Sequence, residues 1–286
     1  MKAPRFDYLR ARTLDEALNA LAAHGWAAKV LAGGQSLIPA LAMRLSEPAL
    51  LIDINGLAAL QGIEWSGTHL RLGALVRHAE LETSPLVRMH APLLAMAAPH
   101  IAHPAIRNRG TLGGSLAFAD PAAELPAVAV ALDASIVLMG RGGTRRVGAR
   151  GFFRGLYETS LQSDEIIAAV DIPPMEPESR VAFLELVRRR GDYAMAGLAA
   201  TARIANGRIE AATLVYFGVG TAPVPAREAA QALVDGLPTA RLQAAQAALD
   251  HDLDPPADQH GDAEVKRHLA RVLLERAVTA LGTQSS

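Results

Sequence analysis

An α+β fold is predicted for this 286-residue chain from three features of its sequence. Helix-period and strand-like apolar runs are interspersed over roughly the first 172 residues. A segment with three prolines, Pro173 to Arg180, then interrupts the pattern. Beyond it, long strands are succeeded by terminal helices, the order of an α+β unit. A chain of this length buries roughly three quarters of its unfolded surface, so one or two domains hold together without a disulfide or metal staple.

Taken in order, Thr13-Leu14-Asp15-Glu16 forms a capping box, with Thr13 accepting from the Glu16 amide and Glu16 reaching back. Leu14, Leu18 and Leu21 follow at helical spacing, and Gly25 ends the helix. Lys29 to Ala32 reads as a short strand entering Gly33-Gly34, and an apolar helix runs from about Ser36 to Leu45. Leu50 to Ile54 is a buried strand closed by Asn55-Gly56. Gly62 to Trp65 and His69 to Leu75 pair around the Ser66-Gly67 turn. A helix covers Leu86 to about Ile101, a second glycine loop Gly110 to Ser115, and another helix Pro121 to Leu132. Ser135 to Met139 and Glu165 to Ile172 are strands, and Gly140-Arg141-Gly142-Gly143 is a hairpin turn. After the proline break, Val181 to Val187, Met195 to Ile204 and Ile209 to Val219 read as long strands, the last two joined by the Asn206-Gly207 hairpin signal. Helices cover Thr239 to Leu249 and a stretch from Asp262, in which Val265, Leu269, Val272 and Leu273 share a face.

Composition narrows the function. A net charge of −1 provides no field that seeks nucleic acid or an anionic membrane. The absence of cysteine removes disulfides, thiol nucleophiles, Cys-ligated zinc and iron–sulfur clusters from this chain. Residues 1–7 carry no apolar signal core, and the most apolar stretch, Leu125 to Met139, is broken by Asp133 and too short to span a bilayer. The sequence reads as that of a cytoplasmic protein.

Two paired-glycine segments ending in a hydroxyl residue, Gly33-Gly34-Gln35-Ser36 and Gly113-Gly114-Ser115, carry the strongest chemical signal. Glycine lets the backbone approach a ligand closely, and successive amides form an anion-binding nest, which suits phosphate. Ser36, Thr111 and Ser115 add hydroxyl donors. Two tight turns are the plainer reading of the same residues. No G-x-G-x-x-G or G-x-x-x-x-G-K-[ST] occurs, so a dinucleotide here is bound by neither a Rossmann nor a P-loop site. Gly113-Gly114-Ser115-Leu116-Ala117 fails the nucleophile-elbow pattern. His100 and His103 flank the second glycine segment, whereas His251, His260 and His268 read as solvated surface. Arg188-Arg189-Arg190 reads as a solvated basic face, with attraction of a nucleotide phosphate or an acidic partner as the alternative.

The run Ala32-Gly33-Gly34-Gln35-Ser36-Leu37-Ile38-Pro39 resembles the first FAD-binding motif of the medium subunit of molybdenum hydroxylases, the carbon monoxide dehydrogenase and xanthine dehydrogenase family. Ile106-Arg107-Asn108-Arg109-Gly110-Thr111-Leu112-Gly113-Gly114-Ser115 resembles its second motif, and Ala119 to Pro126 continues the match. Gly191-Asp192-Tyr193-Ala194 resembles the family's mobile loop beside the flavin. The resemblance extends over essentially the whole chain. It implies a vanillyl-alcohol-oxidase (PCMH) type FAD-binding fold over 1–175, with subdomains of about 1–56 and 57–175, and a C-terminal α+β domain of CO dehydrogenase flavoprotein type over 176–286.

By this resemblance, Leu31, Ala32, Gly33, Gly34, Gln35, Ser36 and Leu37, with Gly110, Thr111, Gly113, Gly114, Ser115 and Ala117, bind the cofactor. The amides and hydroxyls of Ala32 to Ser36 and Thr111 to Ser115 hold its pyrophosphate. Ile101, Ala102 and Ile106 lie near the isoalloxazine or adenine, and Ile167, Asp120 and Asp192 are further contacts. Glu124 stands where relatives often have an aspartate bonding the ribitol or ribose, and Tyr193 gates the flavin face. Gln35 replaces a histidine common at its position, which implies non-covalent FAD.

The implied activity is electron relay in a flavoprotein oxidoreductase, with no metal on this chain. A large molybdenum-pterin subunit hydroxylates the substrate. A small subunit with [2Fe–2S] clusters passes electrons to the FAD, which delivers them to NAD, a quinone or dioxygen. The assembly is expected to be a dimer of heterotrimers. Two alternatives stay open: a stand-alone FAD oxidase or reductase with Tyr193 or His103 as its acid–base group, and a non-catalytic assembly subunit that has lost flavin.

Overall fold

The computed structural model describes residues 2–234, 238–259 and 261–283. The chain opens with β1 (Asp7–Arg10), α1 (Leu14–His24), β2 (Ala28–Leu31), α2 (Leu37–Ala42) and β3 (Leu50–Asp53). The three strands form a parallel sheet in the order β1-β3-β2. Thr13 caps α1 by accepting the Glu16 amide at 3.1 Å. The capping box closes differently from expectation, because Glu16 accepts from the Arg12 amide at 2.7 Å rather than from Thr13. Gly25 ends the helix at φ 52°, a left-handed conformation that glycine adopts without steric cost. Helix α2 is shorter than the expected Ser36–Leu45, with Arg44 at φ 57° just beyond its end. Strand β1 is unanticipated: its four residues show no buried side chain, so no apolar alternation marks them.

The next layer carries β4 (Ile63–Trp65), β5 (Leu70–Gly73), α3 (His78–Thr83), α4 (Pro85–His90), α5 (Pro92–Ala97), α6 (Pro104–Arg107), α7 (Leu112–Phe118), α8 (Glu124–Ala131), β6 (Ser135–Gly140), β7 (Gly143–Gly148), α9 (Ala149–Phe152), β8 (Phe153–Gly155), β9 (Glu158–Thr159) and β10 (Ile166–Ile172). A five-stranded antiparallel sheet runs β4-β5-β10-β6-β7. Its middle strand β10 is buried along its whole length, which explains a continuous apolar run rather than an alternating one. Val137, Ile166, Ala168 and Ala169 face the first layer, while Leu72, Leu138, Ile167 and Val170 face the helices.

Two helix expectations need correction here. The single helix over Leu86–Ile101 is broken into α4, α5 and a 3-10 turn, because Pro92 has no amide to continue α4 and Ala91 leaves helical geometry at φ −143°. The helix expected from Pro121 starts at Glu124, after a turn in which Asp120 accepts the Ala122 amide at 2.9 Å.

The remaining chain forms β11 (Ser179–Leu186), β12 (Ala196–Ala205), β13 (Arg208–Phe217), β14 (Val224–Pro225), α10 (Arg227–Leu233), α11 (Pro238–Asp252) and α12 (Ala263–Thr283). Its sheet is antiparallel in the order β11-β12-β13-β14. Asn206 and Gly207 turn the β12–β13 hairpin at φ 51° and 71°. Val181, Phe183, Ala199, Val215 and Phe217 on one face join the same core as α5 and α8. Ala182, Leu198, Ala200, Leu214 and Tyr216 on the other pack on the terminal helices.

Gly197 lies directly opposite Phe217, whose ring fills the space a Cβ would need. The buried stripe of α12 is Lys266, Ala270, Leu273, Leu274, Ala277, Val278 and Leu281, so the expected face is displaced and Val265 is exposed. Buried Lys266 donates to the Gly218 carbonyl at 3.0 Å and to Asp258 at 2.6 Å. Among the described residues, no helix is long and apolar enough to cross a membrane.

Candidate functional site

The first glycine segment leaves β2 and turns into α2. The amides of Gly33, Gly34, Gln35, Ser36 and Leu37 have no protein acceptor among the described residues. Five adjacent donors left free in this way form a concave cradle for an anion. Gln35 folds its side chain back to donate to the Gly33 carbonyl at 2.8 Å, which fixes the turn. Gly34 sits at φ 73°.

The second segment is built differently from expectation. Gly113 and Gly114 lie in the first turn of α7 rather than in a loop. The Leu112 and Gly113 amides donate to the Val76 and Ala74 carbonyls at 2.9 and 2.8 Å, and the Gly114 and Ser115 amides to Thr111 Oγ1 and O at 3.1 and 3.0 Å. The amides from Leu112 to Ser115 are therefore spent inside the protein, unlike the free amides foreseen for Thr111–Ser115, and the segment presents the Ser115 hydroxyl while buried Thr111 caps the helix. Gly113 lets α7 lie on residue 74: a Cβ there would stand 2.6 Å from the Ala74 Cβ. Gly110 rests on the ring of His78, which is buried. Burial, with Arg107 and Arg77 adding to it, pushes His78 down to about 4, so it is neutral at physiological pH.

The two segments touch. A Cβ on Gly33 would lie 2.8 Å from Gly110 Cα and still nearer the Arg109 carbonyl oxygen. Around this contact runs a polar network. Tyr8 donates to Asp53 at 2.6 Å, and Asn55 donates to Asp53 at 2.8 Å and to the Ala32 carbonyl at 2.7 Å. Arg77 donates to Asn55 Oδ1 at 2.9 Å and to the Arg109 carbonyl.

A cluster of acidic residues, Asp120, Glu124 and Glu185, follows the second segment. Glu124, at the start of α8, is pushed up to about 8 by burial, with the charges of Glu185 and Asp120 adding to it. Its carboxyl is thus protonated at neutral pH and can donate a hydrogen bond. Asp120 is raised by burial. Glu185 reaches in from β11, accepts from His100 Nδ1 at 3.1 Å, and keeps Oε2 buried without a partner. Tyr157, whose ring packs on Phe118, and Tyr193 border this cluster, both raised by desolvation and by the Asp120 charge. Tyr193 is 61 % exposed.

Ala102 adopts φ 43°, a strained conformation for alanine. Buried Arg107 pins it, donating to the Ile101 and Ala102 carbonyls at 3.2 and 3.3 Å and to Glu82 at 3.0 Å. The Gly191-Asp192-Tyr193 segment lies on this turn, since a Cβ on Gly191 would stand 2.6 Å from the His103 ring.

Most residues predicted for the site therefore lie in or beside these two glycine segments, the strained turn and the acidic cluster. Ile101 and Ile167 are 8 % and 4 % exposed and their side chains belong to the core. Ala117 is exposed on the far part of α7. His251 and His268 are exposed, and His260 lies outside the described residues. Asn55, Arg77, Arg107 and Glu185 escaped the sequence reading. Asn55 was legible only as a turn residue, Arg107 as part of a motif, and Arg77 and Glu185 carry no local signal. Among the described residues, no cluster of His, Asp and Glu is arranged to hold a metal.

A family model described as the FAD binding domain in molybdopterin dehydrogenase matches residues 4–175, and the CO dehydrogenase flavoprotein C-terminal domain matches residues 181–281. The chain is 40 % identical over 280 residues to the 6-hydroxypseudooxynicotine dehydrogenase complex subunit alpha of Paenarthrobacter nicotinovorans, covering 97 % of this chain and 95 % of that one. A solved carbon monoxide dehydrogenase from Hydrogenophaga pseudoflava, lacking the molybdenum-pyranopterin moiety, superposes with a TM-score of 0.95 at 37 % identity, covering 98 % of each chain. Quinoline 2-oxidoreductase from Pseudomonas putida 86 superposes with a TM-score of 0.93 at 36 % identity and 98 % of each chain.

Proposed function

Because this chain belongs to the family of FAD-binding medium subunits of molybdenum hydroxylases, we propose that it is the electron-relay subunit of such an enzyme. It is an oxidoreductase subunit of PCMH-type fold. In this reading it takes electrons from [2Fe–2S] clusters of a small subunit and hands them to an external acceptor, NAD, a quinone or dioxygen. A large molybdenum-pterin subunit carries out the hydroxylation, and the complex is a dimer of heterotrimers. Residues 1–175, as subdomains of about 1–56 and 57–175, hold the cofactor, and 176–286 close over it.

The observation that carries the cofactor assignment is the cradle of five unpaired amides from Gly33 to Leu37, set against a second glycine segment. A cradle of this kind fits a pyrophosphate, which needs several donors and close backbone approach. Thr111 and Ser115 then add hydroxyl donors from the far side. Protonated Glu124 donates to a ribityl or ribose hydroxyl, a role that an ionised carboxylate cannot fill. Asp120 and Asp192 border the sugar and ring region, and Ile106 and Ala102 flank the ring system. Tyr193 covers its open face and regulates access of the acceptor. Gln35, whose amide is no nucleophile and is engaged with Gly33, leaves the FAD non-covalent. Bound FAD supplies the conversion between one-electron and two-electron transfer.

The visible absorption spectrum of the purified chain tests this, followed by acid precipitation. Near one FAD per chain in the supernatant is expected. Colourless protein that takes up no added FAD refutes the assignment. Reduction of the isolated chain by a small organic substrate would replace electron relay by a stand-alone flavoenzyme.

A further inference from the structure

We infer that Asn55 and Arg77 are positioning residues that lock the two glycine segments at the one spacing in which both serve the cofactor. This rests on the FAD reading above. Arg77 springs from the extended stretch before α3 and ties both segments, directly to the Arg109 carbonyl and through Asn55 to the Ala32 carbonyl. The orientation of the Asn55 amide is forced by chemistry. A guanidinium only donates, so Oδ1 must face Arg77, and a carbonyl only accepts, so Nδ2 must face Ala32. Asn55 is thus a two-way adaptor, and its amide is further fixed by Asp53 at 2.8 Å. Neither aspartate nor a hydrocarbon can take its place.

The contact between Gly33 and Gly110 sets how close the segments may come, and the Asn55–Arg77 pair sets how far they may part. A backbone cradle needs such a limit, because an error of an ångström at its donors breaks hydrogen bonds of this length.

The test compares Asn55→Asp, Arg77→Met, Arg77→Lys and the Asn55→Asp/Arg77→Met double variant with the parent full-length chain. Two quantities are read: the rate of FAD release from the holo chain, by recovery of flavin fluorescence, and the melting temperature with and without FAD. Asn55→Asp has nearly the same shape but sets an oxygen against the Ala32 carbonyl. It is expected to speed FAD release at least tenfold and to reduce the FAD-dependent gain in melting temperature. Arg77→Met should do the same, Arg77→Lys should recover part of the loss, and the double variant should be no worse than the poorer single one.

FAD release within twofold of the parent overturns the inference. So does a fall in the FAD-free melting temperature with the FAD-dependent gain unchanged, which marks a purely structural role. If Asn55→Asp does not fold, the Arg77→Lys and Arg77→Met pair decides: equal release rates in the two refute a role for the cationic donor. A parent chain that binds no FAD refutes the underlying reading instead.

Discussion

Gly33→Ala probes the contact on which the candidate site depends. The added Cβ would stand 2.8 Å from Gly110 Cα, with the Arg109 carbonyl oxygen nearer still. Carbon atoms pack at about 3.5–4.0 Å, so the two glycine segments must separate by about 1 Å. Both neighbours are backbone, and Arg109 is held by Arg77, so no flexible side chain can absorb the shift. Overpacking of this kind costs about 1–3 kcal/mol. Without cofactor the segments can part at the expense of the Asn55 and Arg77 ties, but binding must close them again. The cost therefore falls on binding, and at about 1.4 kcal/mol per decade FAD affinity should drop roughly tenfold to a hundredfold. Titration of the FAD-free chain by flavin fluorescence quenching measures this. Gly56→Ala is the control, since a Cβ there meets nothing within 4 Å, and its affinity should equal the parent's. An unchanged dissociation constant for Gly33→Ala would refute the argument that the two segments act as one cradle.

The other expectations are independent of that contact. Glu124 has its pKa raised from 4.5 to about 8, so it favours folding fully below about 4.5 and loses that contribution as pH rises to about 8. The FAD-free parent should therefore lose stability relative to Glu124→Gln across this window in pH-dependent thermal melts, and parallel curves would contradict a buried, protonated Glu124. Tyr193→Ala should retain FAD while altering the rates of flavin reduction and reoxidation in stopped-flow absorbance, and unchanged rates would remove Tyr193 as a gate. Gly197→Ala drives a Cβ into the buried Phe217 ring, so denaturant unfolding should show a loss of about 1–3 kcal/mol or more.

The long strands were legible because their residues are paired over eight to ten positions and carry buried apolar residues, and Asn206-Gly207 marks their turn unambiguously. The wholly buried β10 was legible as an apolar run for the same reason. The helix break at Pro92 was present in the sequence, yet apolar periodicity on both sides of it outweighed the proline. The glycine pairs located the site, but not that the first has free amides and the second spent ones: Gly114 and Ser115 are capped locally by Thr111, whereas Val76 and Ala74, which accept from Leu112 and Gly113, lie more than thirty residues upstream of α7. Asn55 and Arg77 were illegible for a related reason. Each bonds to groups brought near only by the fold, and a lone arginine after a strand has many possible uses.

The sheet beyond the proline break gives Phe183, Val215 and Phe217 to the core that also contains Leu94, Leu125 and Val128. Covalent modularity and thermodynamic modularity therefore part company in this chain. A truncation at residue 175 would leave those helices with an uncovered apolar wall, and such a fragment should aggregate or remain molten rather than melt cooperatively. Calorimetry of the intact chain should then record one unfolding transition, with cofactor release and loss of the distal sheet occurring together.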